Sequence, residues 1–136
     1  MTYCTQQNMI DRFGEIELIQ RTDRASNTAI NATVLAQAIS DAGAEIDGYL
    51  TAYALPLAVV PANLVRLACD IARYYLYDDQ VIEVVDKRYK VAIDYLKMVA
   101  KGTISIAPDT SGVVIAQSDS AVEFQSSPSA FSRDAQ

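Results

Sequence analysis

From residue 5 to residue 102 apolar side chains recur at intervals of three and four, the spacing of helices and not the alternation of strands. The densest stretch is 61–78. Pro61 suits a first helical turn, where its missing N–H costs nothing. Behind it Leu64, Leu67, Ala68, Ile71, Tyr75 and Leu76 cover one broad face, and Val65, Cys69 and Ala72 widen it. Asn63, Arg66, Asp70, Arg73 and Tyr77 form a narrow polar stripe. A helix so apolar needs protein on most sides, so this one is expected at the centre of a small helical domain.

The neighbouring elements follow from the same spacing. Thr5 caps a helix over Gln6–Phe13, Gly14 stops it, and Glu15–Gln20 adds another turn or two. Residues 1–4 read as a lead-in and 21–30 as a polar surface loop. Asn31 caps a helix running to about Tyr53, with Leu35, Ala38, Ile39, Ala42, Ile46 and Leu50 along its apolar face. Ala42, Gly43 and Ala44 keep its middle thin, so a second helix is expected to cross there. Residues 55–60 are an apolar connection that packs across the core. The last helix spans 80–101 and Gly102 ends it. Its main face is Ile82, Val85, Tyr89, Ala92, Ile93, Leu96 and Val99, with a second stripe of Val84, Val91, Tyr95 and Met98 beside it. The fold class is therefore all-α, a small bundle of about four helices within a domain of residues 1–102.

Beyond Gly102 the pattern changes. Residues 103–136 are rich in Ser, hold two Pro, and carry Arg133 against Asp109, Asp119, Glu123 and Asp134. Thr103–Ile106, Val113–Ala116 and Ala121–Phe124 have strand-like composition without an evident partner. Two readings stand: a flexible tail, or an extended segment that forms short β-strands by pairing with a neighbouring chain on assembly.

Composition narrows the function. Apolar residues make up 51% of the 136 and charged residues 21%, the balance of one globular domain. The net charge of −6 argues against a surface that grips nucleic-acid phosphates. There is no histidine, which removes the commonest general base and metal ligand. Cys4 and Cys69 make no Cys-x-x-Cys pair. Cys69 reads as a small buried hydrophobe and Cys4 as part of a mobile N-terminus, which fits a reducing cytoplasm. No basic-then-apolar leader opens the chain and no apolar run is long enough to span a bilayer, so no membrane partner is expected.

Three constellations carry charge or chemistry. Asp41 and Glu45 share a helix face beside Asp47, the arrangement a carboxylate pair needs, but they have no partner motif and read as a solvated face. Arg66, Asp70 and Arg73 are spaced for a ladder along their helix, either exposed or spanning a subunit interface. Tyr74, Tyr75, Tyr77, Tyr89 and Tyr95 cluster on the last two helices, as core, rim or interface residues. No phosphate-binding loop and no nucleophile motif is present, so neither catalysis nor a cofactor is expected. The surplus apolar faces point to homo-oligomerisation. The expected interface residues are Arg66, Asp70, Arg73, Tyr77, Val84, Val91, Tyr95 and Met98.

The residues also carry a resemblance. Tyr3–Glu15, Ala44–Leu50, Leu55–Leu57 with Pro61, the run Leu64–Asp78 and the ending Ser126–Asp134 resemble a phage Mu-type family of small structural proteins of phages and prophages. The resemblance implies a head–tail adaptor, also called a connector or head completion protein. Such a protein docks as a ring, usually twelvefold, between the portal protein and a downstream neck or tail-completion protein. DNA passes through the lumen without sequence-specific binding. The protein would be made in the host bacterial cytoplasm and retained in the virion. An acidic channel wall lets DNA slide. The alternative is a transient assembly factor or regulator absent from the mature particle.

Overall fold

Thr5 opens the first helix with a reciprocal cap. Its hydroxyl accepts from the Asn8 N–H at 3.1 Å, and the Asn8 side chain accepts from the Thr5 N–H at 2.8 Å. In the computed structural model, which describes residues 1–106, this helix is α1 (Gln6–Phe13). Gly14, at φ +89°, turns the chain directly into α2 (Glu15–Thr22), a conformation that L side chains rarely adopt. α3 is Ala32–Tyr49, α4 Ala62–Tyr77 and α5 Glu83–Ala100. Among the described residues there are five helices and no strand.

α3 and α4 are the axis of the bundle, since each touches all the other helices. α4 buries Leu64, Leu67, Ile71 and Leu76 against α3 and α5, so the most apolar stretch of sequence does become the centre. α5 closes the bundle with Val85, Ala92, Ile93, Leu96 and Val99. Met9 and Leu18 of the short α1–α2 pair, which packs on α3 and α4, are fully buried.

Several expectations are corrected. α3 ends at Tyr49, and residues 50–53 form a turn held by the Tyr53 N–H donating to the Leu50 carbonyl. Residues 1–4 are no loose lead-in. Tyr3 and Cys4 are buried, the Met1 amino group lies 2.5 Å from an Asp47 carboxylate oxygen, and the Tyr3 hydroxyl donates to the other. At Gly43 itself it is this N-terminal strip that lies against α3. A Cβ at Gly43 would collide with the Met1 carbonyl oxygen.

The region read as a surface loop starts later, because α2 runs through Thr22, which is buried and donates to the Leu18 carbonyl. The loop is then organised by Asp23. Its carboxylate accepts from the backbone N–H groups of Ser26, Thr28 and Ala29 and from the Thr28 hydroxyl, and these bonds hold its pKa below the ordinary value. The connection 55–60 packs inward only through Leu57 and Val60; Val59 is half exposed.

Residues 103–106 form no strand. They fold back over the core, Ile106 is buried, and its N–H donates to the Tyr53 hydroxyl at 3.4 Å. Packing onto the core therefore continues past Gly102. The strand-like segments Val113–Ala116 and Ala121–Phe124 lie outside the described residues.

Candidate functional site

The polar stripe of α4 does not form a ladder. Arg66 donates to the Asn63 side chain at 2.8 Å. Arg73 reaches across to α2 and makes two bonds with the Glu17 carboxylate, at 2.8 and 3.0 Å, while its guanidinium covers the Phe13 ring at 4.3 Å. Tyr77 is buried beneath the Arg21 guanidinium, 4.8 Å from its ring centroid. Arg73 and Tyr77 thus tether the α1–α2 pair within the protomer. Asp70 is 6% exposed, and its carboxylate lies 3.8 Å from the Arg88 guanidinium of α5. Burial raises its pKa against the opposing pull of Arg88, Arg66 and other nearby guanidiniums.

The acidic face of α3 is not simply solvated either. Asp41 is exposed and accepts from the Gln37 amide. Glu45 is half buried and accepts hydrogen bonds from the Tyr75 hydroxyl of α4 and from the Tyr89 hydroxyl of α5, the latter at 3.1 Å. Tyr74 stacks on Tyr89 with centroids 3.8 Å apart. Burial first and Glu45 second push the Tyr89 phenol up to about 12. The same causes raise Tyr75. Glu45 is therefore a three-helix tie.

Cys4 and Cys69, distant in sequence, are neighbours in the core. The neighbouring Cys69 side chain, together with burial, raises the Cys4 thiol far above its ordinary value. Among the described residues no group of three or more His, Cys, Asp or Glu side chains is placed to hold a metal ion.

One side of α5 and the groove beside it are open to solvent. Val91 is 61% exposed, Val84 46% and Met98 40%, with Tyr95 half buried between Val91 and Met98. Of the residues expected at an interface, these and Arg66 face outward, whereas Arg73 and Tyr77 are engaged inside the protomer. Val84 and Val91 also form a wall of a groove of about 660 Å³ between α1, α4 and α5. Phe13 completes its apolar lining, Asp70 lies in it, and Arg12, Arg66, Lys87 and Arg88 surround it. Sequence reasoning missed this cationic groove. Lys87 and Arg88 look like ordinary solvated helix charges, and nothing in a linear pattern joins them to Arg12.

No helix among the described residues is long and apolar enough to cross a membrane. The family described as Bacteriophage Mu, Gp36 matches residues 3–124. Gene product J of Escherichia phage Mu is 32% identical over 136 residues, covering 98% of this chain and 96% of its own length. The Mu-like prophage FluMu protein gp36 of Haemophilus influenzae is 33% identical over 105 residues, covering 76% of this chain and 74% of its own.

Proposed function

Because the chain belongs to the bacteriophage Mu Gp36 family, we propose that it is a virion structural protein, a head–tail adaptor whose copies close into a ring between portal and tail. The observation that carries this reading is the second apolar stripe of α5. One face of that helix already supplies the core, yet Val84, Val91 and Met98 stand exposed on another. Covering such side chains with a neighbour removes apolar area from water. Repeating one head-to-tail contact around a closed ring leaves no copy with an uncovered patch.

The net charge of −6 supports a lumen through which DNA slides without being gripped. The portal and a downstream neck or tail-completion protein are the partners this role requires. The chain then works by shape and contact and not by catalysis.

Light scattering across concentration, with and without portal protein, tests the reading. The expected species is a ring of about twelve chains, forming either alone or only on the portal, in place of a 14.8 kDa monomer. Val91→Asp is expected to block ring formation while leaving the helical circular dichroism unchanged. A Val91→Asp protein that still completed infectious particles would overturn the interface. Absence of the protein from purified virions by mass spectrometry would favour an assembly factor instead.

A further inference from the structure

On a chain of net charge −6, the groove between α1, α4 and α5 is a local reversal. Arg12, Arg66, Lys87 and Arg88 surround it against one carboxylate, the buried Asp70. Asp70 lies 3.8 Å from Arg88, and Lys87 lies 3.9 Å from the exposed Glu83 on its own helix. Arg12 and Arg66 make no ion pair within the described residues. The floor and one wall are apolar: Phe13, Val84 and Val91. A groove of this kind suits a peptide that alternates carboxylates with apolar side chains.

The chain itself supplies one. Asp119-Ser-Ala-Val-Glu-Phe124 places two acids, a valine and a phenylalanine within six residues, with no cation among them. The other aromatic of the C-terminal region, Phe131, is followed by Arg133, which the groove would repel. The family match also extends through Phe124, so this segment belongs to the shared part of the sequence.

We propose that the groove between α1, α4 and α5 is a docking site for residues 119–124 of its own chain, with Glu123 and Asp119 on the cationic rim and Phe124 against Phe13, Val84 and Val91. The reading does not depend on the adaptor role. Reach permits it. From Ala100 back to Lys87 along α5 is about 20 Å at 1.5 Å per residue. The stretch 107–122 spans up to about 53 Å when extended, more than twice that length. Tethering favours the intramolecular arrangement, because a covalent link of this length gives a local concentration in the millimolar range, above any ordinary concentration of a second copy. Docking there would also cover Val84 and Val91, so the same surface would serve either the chain's own segment or a neighbour.

Zero-length carbodiimide cross-linking of the full chain tests this directly, using an equal mixture of unlabelled and 15N-labelled protein read by mass spectrometry. The expected product joins Lys87 Nζ to the Glu123 or Asp119 carboxyl, with both peptides carrying the same label. The Lys87–Glu83 link serves as the internal control. Replacing Phe124→Ser keeps both carboxylates, and loss of its apolar anchor should lower the Lys87–Glu123 yield roughly tenfold. Three outcomes would overturn the proposal: links from Lys87 to Glu83 alone, tail links that pair labelled with unlabelled peptides at the statistical ratio, or a yield indifferent to Phe124→Ser. The second would assign the groove to a neighbouring copy, and the third would reduce the contact to random charge encounters.

Discussion

At Gly43 the absence of a side chain decides where the N-terminus runs. Met1 and Thr2 lie directly on the α3 backbone there, which brings the Met1 amino group and the Tyr3 hydroxyl onto Asp47. Gly43→Ala is therefore expected to destabilise by about 1–3 kcal/mol through forced displacement of this strip. Gly48→Ala, with nothing within 4 Å of its added Cβ, should stabilise by up to about 1 kcal/mol through helix propensity. Urea midpoints of the two variants decide between them, and the opposite signs distinguish packing from propensity. Asp70 gives a second residue-scale test. Its folded pKa is raised, so the folded state holds its proton more tightly than the unfolded chain. Stability from this group is full below the unfolded pKa and is lost as pH rises through the folded one. The stability of Asp70→Asn relative to the parent should therefore grow as pH is raised from 4 towards 7. A gap that narrowed over that range would contradict the assignment.

Elements are held together here by a few polar ties laid over apolar packing. Glu45 joins α3 to α4 and α5 through Tyr75 and Tyr89, and Glu17 joins α2 to α4 through Arg73. Glu45→Ala leaves two partly buried phenols without their acceptor, at an expected cost of about 1–3 kcal/mol. Glu45→Gln should cost less and should lower the Tyr89 pKa from about 12, since burial remains but the neighbouring charge is gone. Tyrosinate absorbance during alkaline titration reads this directly. Because the folded phenol pKa values are raised, their contribution to stability is complete below about pH 10. It is lost as pH rises from there through 12, and a lower folded pKa narrows that window, so the glutamine variant should lose less stability than the parent between pH 10 and 12.

For the whole molecule the informative stretch is 103–106, just past Gly102. Ile106 is buried and hydrogen-bonded through its N–H to Tyr53. Truncation after 106 removes segment 119–124 but keeps Ile106, so it is the reference for the core. Truncation after 102 also removes Ile106 and should cost about 1.5–3 kcal/mol, the value of burying one large aliphatic side chain. Thermal melts of the two truncated chains check the difference. Equal melting temperatures would mean that residues 103–106 add nothing to the core.

Helix identity, order and the central place of α4 were legible in the linear pattern, because apolar residues at intervals of three and four define a buried face wherever the neighbours lie. The caps at Thr5 and Asn31 and the stop at Gly14 were equally legible, being local hydrogen-bond and dihedral requirements. The exposed stripe Val84, Val91 and Met98 could also be picked out beside the main face of α5. Tertiary structure alone decided which charge meets which. Arg73 chose Glu17 over Asp70, Glu45 took two tyrosines, Cys4 moved into the core beside Cys69, and Arg12 came to face Lys87 and Arg88. Long polar side chains reach partners set by how helices cross, and spacing along one helix cannot encode a crossing with another.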